Sequence, residues 1–338
     1  MNIDKYIETI KACRFCFMCR HLSAVGNVTF TEADTPRVRA SMLYGVTMFP
    51  ERLTSDDLVK TMYRSDLSAC CRRNCVNHYE ENALNLAYRA DLVEAGAVPE
   101  NIKAIAAELK KMPAWSVSGK GDVVYVADNY SIQAGAAAAF AKLAGEVQTV
   151  QGGSCGKGLW VLGFHDEARK MAQAFVEVLE GTGASTVVVS HTGIYDLLVN
   201  TLSEMGLSLK AKVMHSSEYL SGIRTAKKLG KVYYLESDFL RNYNNDYPFP
   251  KAVLEANGAV LQLFGTNDEE SYSCGEGALL LDKIESELVE KLAKYIEARA
   301  DDSSRDVIAV ASPYTKVQLK KYTSLNVKTI EELLADAL

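Results

Sequence analysis

At 338 residues, 48% hydrophobic and 24% charged, the chain is long enough for two or three domains and carries the residue balance of an ordinary globular protein. A net charge of −6 leaves no basic footprint for nucleic acid, and no stretch stays apolar for the length of a membrane span. The opening Met1-Asn2-Ile3-Asp4-Lys5-Tyr6 lacks the basic-then-apolar layout of a secretory leader, so a cytoplasmic location is expected, where eight cysteines read as ligands or buried thiols before disulfides.

Residues 1–115 read as helix and loop. Near their start stands Cys13-Arg14-Phe15-Cys16-Phe17-Met18-Cys19, three cysteines two residues apart, a spacing that turns several thiolates toward one centre and that ferredoxin-type iron–sulfur sites use. A [4Fe–4S] cube has four iron corners, so a fourth thiolate is needed from elsewhere. The candidate stretch is Asp66-Leu67-Ser68-Ala69-Cys70-Cys71-Arg72-Arg73-Asn74-Cys75. Between the two, Thr35-Pro36 and Ser55-Asp56-Asp57 are helix starts. Beyond them, residues 78–95 carry apolar side chains at helical spacings up to Gly96, and Pro99 opens a helix through Lys111.

After Pro113 short β-branched runs alternate with longer amphipathic ones, the pattern of α/β units around a parallel sheet. Strands are expected at 123–127, 147–150, 186–190, 232–235, 260–264 and 307–311. Helices are expected at 134–143, 167–179, 284–298 and 330–338, the last capped by Thr329. The two halves echo each other: Ser154-Cys155-Gly156-Lys157-Gly158 returns as Ser273-Cys274-Gly275-Glu276-Gly277, each ahead of a long helix and a strand. That repeat predicts two similar lobes, 116–230 and 231–338, behind the helical domain 1–115.

The run Cys16-Phe17-Met18-Cys19-Arg20-His21, with Val25-Gly26-Asn27-Val28-Thr29 and Asp34-Thr35-Pro36-Arg37, resembles the iron–sulfur proteins of the glycolate oxidase, anaerobic glycerol-3-phosphate dehydrogenase and heterodisulfide reductase group. Those proteins carry two C-x2-C-x2-C-x3-C motifs, the last cysteine of each crossing to the other cluster. Laid on this chain, the first motif reads Cys13, Cys16, Cys19, Ser23 and the second Ser65, Ser68, Cys71, Cys75. The resemblance therefore implies one retained [4Fe–4S] cluster on Cys13, Cys16, Cys19 and Cys75, with Cys70 as competitor for the fourth place. The second cluster is lost, because serine is a poor substitute for a soft thiolate. Cys70 and Cys71 otherwise read as packing residues or neighbours of the ligands.

The resemblance also implies an α+β fold, a helical ferredoxin-like domain followed by two pseudo-symmetric α/β lobes of the cysteine-rich CCG type. The lobes keep few of that domain's cysteines. The first has Asn129, Ser154-Cys155-Gly156, His191 and Ile194 at those places; the second has Ser237, Ser273-Cys274-Gly275, Ser312 and Thr315. One cysteine per lobe cannot hold a multi-iron cluster, so the family's disulfide chemistry does not carry over.

Cys155 and Cys274 read either as small buried hydrophobes at glycine turns or as a pair facing each other between the lobes, with His191 or His215 completing a site for one metal ion. Lys157 stands beside a turn whose N–H groups could cradle an anion. Phe15, Phe17 and Met18 are expected to shield the cluster. Arg14, Arg20, Arg72 and Arg73 would either favour its reduced state or form a solvated or docking face. His21 is expected as a neighbour of the cluster loop, His78 and His165 as helix-start or surface residues.

The expected function is an electron-transfer subunit with one [4Fe–4S] cluster, relaying electrons between an FAD-containing oxidoreductase subunit or electron-transfer flavoprotein and another carrier. No Gly-x-Gly-x-x-Gly follows the first strand, so the chain itself shows no nicotinamide or flavin fingerprint. The first rival is a redox enzyme binding a small substrate or a mononuclear metal near Cys155 and Cys274. A second is a subunit whose cluster only stabilises the fold.

Overall fold

The computed structural model describes residues 1–13, 16–262, 272–300 and 307–338. Arg14, Phe15, the side chain of Arg73 and the last two positions of the strand expected at 260–264 lie outside the described residues.

Among the described residues no strand precedes Ser116, and the first part of the chain is helical. Pro36 opens the helix Pro36–Met48, where its missing N–H costs nothing, and Asp56–Tyr63, Glu81–Glu94 and Glu100–Lys110 follow. Their apolar stripes meet in a core that includes Leu43, Met62, Leu84, Tyr88 and Leu92, each almost fully enclosed.

Two sheets follow. The first holds β1 (Ser116–Ser118), β2 (Val123–Ala127), β3 (Gln148–Gln151), β4 (Thr186–Val189) and β5 (Lys212–His215) in the order β1-β3-β2-β4-β5. Only β1 runs antiparallel. The second holds β6 (Gly230–Leu235), β7 (Ala259–Gln262), β8 (Val307–Val310) and β9 (Asn326–Thr329) in the order β7-β6-β8-β9, all parallel. Set β1 aside and the two sheets have the same order and direction. In each, the first strand's connection leaves to one side and the third strand lies on the other, so the loops at their carboxyl ends part and open a crevice. Val124–Ala127 of β2 and Val187–Val189 of β4 are continuously apolar and buried, as strands covered on both faces require. Thr329 caps the last helix, Ile330–Ala337, accepting from Glu332 N–H at 3.4 Å while Glu332 accepts from Thr329 N–H at 2.8 Å.

β1, β5 and β9 were not expected. All three are edge strands with one neighbour, and β1 is exposed along its length, so none needs the apolar run by which a buried strand declares itself.

The helical region is stitched to both sheets. Arg89 is fully buried with two carbonyls as its partners, Val161 O at 2.8 Å and Met62 O at 2.7 Å. Gly163, at φ +97°, lies so close that a Cβ would meet the Arg89 carbonyl at 2.5 Å. At the second sheet Gly277 does the same for the loop before Cys70: a Cβ there would stand 2.1 Å from Leu67 O. Leu67 and Ala69 adopt left-handed φ of +49° and +57°, which costs a non-glycine residue free energy. Asn82 Nδ2 at 3.0 Å and the Tyr243 hydroxyl both donate to Leu67 O, and Asn242 Nδ2 donates to Ser68 O at 2.8 Å, which holds the loop in that shape.

Candidate functional site

Cys13 follows the short helix Ile7–Ala12, Cys16 and Cys19 lie in the turn that comes next, and Cys75 ends the short helix Cys71–Asn74. These four thiols line one recess, together with Cys71, Met18, Arg37, Tyr79 and Val76. Segments more than fifty positions apart in sequence thus contribute their cysteines to one recess. Cys16 stands at the exposed rim, while Cys13, Cys19 and Cys75 are half-buried. Burial pushes the Cys19 thiol up to about 11, opposed by a hydrogen bond from the Arg37 backbone.

Cys70 does not reach the recess. Its thiol is buried and donates to Leu22 O at 2.8 Å. Cys71 lies on the recess wall, enclosed, with Glu81 Oε2 at 3.6 Å. Among the described residues no three His, Cys, Asp or Glu side chains are grouped as one metal ion would need. A cubane differs in this respect, since it spreads its thiolates over separate iron corners, and a set of soft sulfur donors from a C-x2-C-x2-C turn and one distant cysteine suits it.

No family model matches this chain, and no curated protein matches it either.

The serines at the other motif positions have structural work. Ser23 caps the helix Ala24–Thr29, accepting from Gly26 N–H at 3.1 Å and donating to Asp34 O at 2.8 Å. Ser65 and Ser68 are buried in the loop that Asn82, Asn242, Tyr243 and Gly277 enclose. Phe17, expected as a shield, is instead 72% exposed, with the Arg37 guanidinium 4.3 Å above its ring. Met18 does line the recess. His21 and His78 are exposed, and His165 stacks on Trp160 at 3.9 Å at the start of the helix His165–Gly181.

A second concavity, about 310 Å³, opens where the loops after β2 and β4 part. Asn129, Ser154, Cys155, His191 and Ile194 all line it. Sequence reasoning missed Trp115, Tyr130 and Leu279, which carry no motif and reach the crevice only through the fold. Lys157 also borders it, but its ammonium is bonded to Asp196 at 2.6 Å and Thr201 at 2.5 Å, not free for an anion. Burial pushes the Cys155 thiol up to about 11. Cys274 is buried and does not line this cavity. His215 does not line it either: its ring is bonded to Ser217 Oγ at 2.8 Å and Ser190 O at 3.1 Å.

In the second half Glu276, the counterpart of Lys157, is buried, and its carboxylate accepts from Thr192 Oγ1, Ser237 Oγ at 2.7 Å and Asp238 N–H at 2.8 Å. Ser273 Oγ donates to Asp238 at 2.5 Å, and Ser312 caps the helix Pro313–Tyr322. Burial, then the neighbouring Glu276, hold the Asp238 carboxyl well above the usual range. Asp238 in the native chain thus keeps a proton that the unfolded chain releases near pH 4, so native stability falls as pH rises from there toward the native pKa. The loss is about 1.4 kcal/mol for each unit between the two pKa values. Asp238→Asn removes that slope. Urea unfolding at pH 5 and pH 8 is expected to show the variant gaining on the native chain at the higher pH; an equal difference at both would refute the assignment.

Proposed function

We propose that the chain is an electron-transfer subunit that holds one [4Fe–4S] cluster through Cys13, Cys16, Cys19 and Cys75. The observation that carries this reading is the recess itself: two distant segments contribute the four thiols that the cysteine spacing and the family resemblance single out, and the competitor Cys70 is turned away. Bound there, such a cluster supplies a one-electron couple. The protein's own residues do the rest. Cys71, Met18 and Tyr79 wall the recess, and the Arg37 backbone donates toward Cys19. Phe17, Met18 and Val76, exposed beside the recess, leave an apolar collar where a redox partner could approach the rim cysteine.

By resemblance that partner is an FAD-containing oxidoreductase subunit or an electron-transfer flavoprotein, in the cytoplasm. No helix among the described residues is long and apolar enough to cross a membrane. Residues 1–115 form the ferredoxin-like part of this reading, and 116–230 and 231–338 two degenerate CCG-like lobes. The shared strand order of the two sheets supports that repeat.

Anaerobic reconstitution with iron and sulfide, followed by iron analysis and a redox titration read by EPR, tests the proposal. Roughly four irons per chain and a signal that appears on reduction are expected. A chain that takes up no iron sinks the reading, and a cluster that neither accepts nor gives an electron makes it a structural one.

A further inference from the structure

Beyond residue 230 the chain holds a single cysteine, Cys274, and it is buried away from the cysteine recess. What that half offers the recess is a grip on the loop that leads to Cys75. The short helix Phe239–Tyr243 ends on two side chains that reach across to it: Asn242 Nδ2 donates to Ser68 O at 2.8 Å, and the Tyr243 hydroxyl donates to Leu67 O. Asn82 Nδ2, from the helical region, donates to the same Leu67 oxygen at 3.0 Å and to the Tyr243 hydroxyl.

Glu276 fixes the grip from behind. Its buried carboxylate accepts from Ser237 Oγ at 2.7 Å and from Asp238 N–H at 2.8 Å, directly ahead of the helix that carries Asn242 and Tyr243. The next residue, Gly277, lies so close to the loop that a Cβ would stand 2.1 Å from Leu67 O and 2.9 Å from Asp66 O. One turn of the second half thus sets both the helix that bonds the loop and the backbone on which the loop rests.

The loop in turn is tied to the cysteine. Leu67 and Ala69 stand at φ +49° and +57°, conformations that cost free energy outside glycine and persist only where the surroundings hold them. From there the chain is bonded turn by turn: Arg72 N–H donates to Ala69 O at 3.1 Å, and Cys75 N–H donates to Cys71 O at 3.0 Å. A shift at Leu67 therefore carries the short helix Cys71–Asn74 and Cys75 with it.

We propose that Tyr243 and Asn242 are positioning residues for the fourth cluster ligand: the second half of the chain, which supplies no ligand itself, holds the Leu67–Ser68 turn so that Cys75 faces Cys13, Cys16 and Cys19. This rests on the cluster reading above. Ligands keep their geometry only when the groups behind them are locked, and here the lock comes from a different sheet.

The test compares two hydroxyl-to-carbonyl bonds in the full chain. Tyr243→Phe removes the one to Leu67 O. Tyr63→Phe removes the one from Tyr63 to Leu162 O at 3.1 Å, which ties the helical region to the first half and does not border the recess. After anaerobic reconstitution, iron release to the ferrous chelator bathophenanthroline disulfonate is expected to be about fivefold faster in Tyr243→Phe, the effect of losing one ordinary hydrogen bond. Its EPR g values should also move from the native ones. Asn242→Ala should behave as Tyr243→Phe does, while Tyr63→Phe matches the native chain in both readouts. In the iron-free chain, amide hydrogen exchange at Arg72 and Cys75 should quicken in Tyr243→Phe and not in Tyr63→Phe. The proposal is overturned if Tyr243→Phe keeps the native release rate and g values, or if Tyr63→Phe alters them equally, since stability alone would then govern both. A native chain that takes up no iron fails the cluster reading instead. Unchanged exchange in Tyr243→Phe overturns the grip on the Cys75 segment whatever the iron result.

Discussion

Replacing Cys75 by serine is expected to take the reconstituted chain from roughly four irons to fewer than about one, with loss of its EPR signal. The reasoning runs through the recess. Three of the proposed ligands sit in one turn, so their number can be met locally; the fourth has to come from the second segment, and Cys75 is the ligand it offers at the half-buried rim. A serine hydroxyl fits the space but gives a hard, high-pKa oxygen where soft sulfur is wanted. Cys70→Ala should leave iron content unchanged, because that thiol is spent on Leu22 O outside the recess. Cys71→Ala is the sharper control. It shares the recess, yet its thiol is enclosed and directed toward Glu81, so the cluster should assemble without it. Full iron in the Cys75 variant together with loss in the Cys71 variant would move the fourth ligand four residues back.

What could be read from the sequence follows from what each signal depends on. The β-branched runs of β2, β4, β6 and β8 are local patterns, dictated by burial on both faces, and were legible; the cysteine triplet is equally local as a spacing, and the fold brings it to one recess with Cys75. The helix Ile330–Ala337 with its Thr329 cap was legible for the same reason. The Ser154 and Ser273 turns were found as a repeat, but the single difference that decides their roles was not weighed: Lys157 against Glu276. Only the fold shows that Glu276 is bonded to Ser237 and Asp238 while Lys157 is drawn to Asp196 and Thr201. Cys155 and Cys274 looked alike in sequence for that reason and part company in the structure, the first beside an open cavity and the second enclosed. Arg39, Arg89 and Asp238 gave no signal at all. A charged residue on a helix reads as solvated by default, and its burial is decided by elements that arrive from far along the chain.

Arg39→Leu is expected to cost about 3–5 kcal/mol of unfolding free energy, the largest stability effect in the helical region. Arg39 is 2% exposed, pairs through Nε with Glu81, and donates from Nη1 to Asp34 O at 2.9 Å. Glu81 is enclosed too, and with the guanidinium gone its nearest donor is the weak thiol of Cys71. Asp66, buried nearby with its carboxyl pushed up by desolvation, would lose the positive charge that opposes that shift. The cost therefore comes from a stranded carboxylate more than from lost packing, and a double variant separates the two. Arg39→Leu with Glu81→Leu removes both charges and should recover most of the loss, since two apolar side chains of similar bulk can replace a buried pair nearly neutrally. Urea unfolding of the two variants measures it. Equal destabilisation of the single and the double variant would mean that leucine cannot fill the space, and that shape, not charge, governs this part of the core beneath the cysteines.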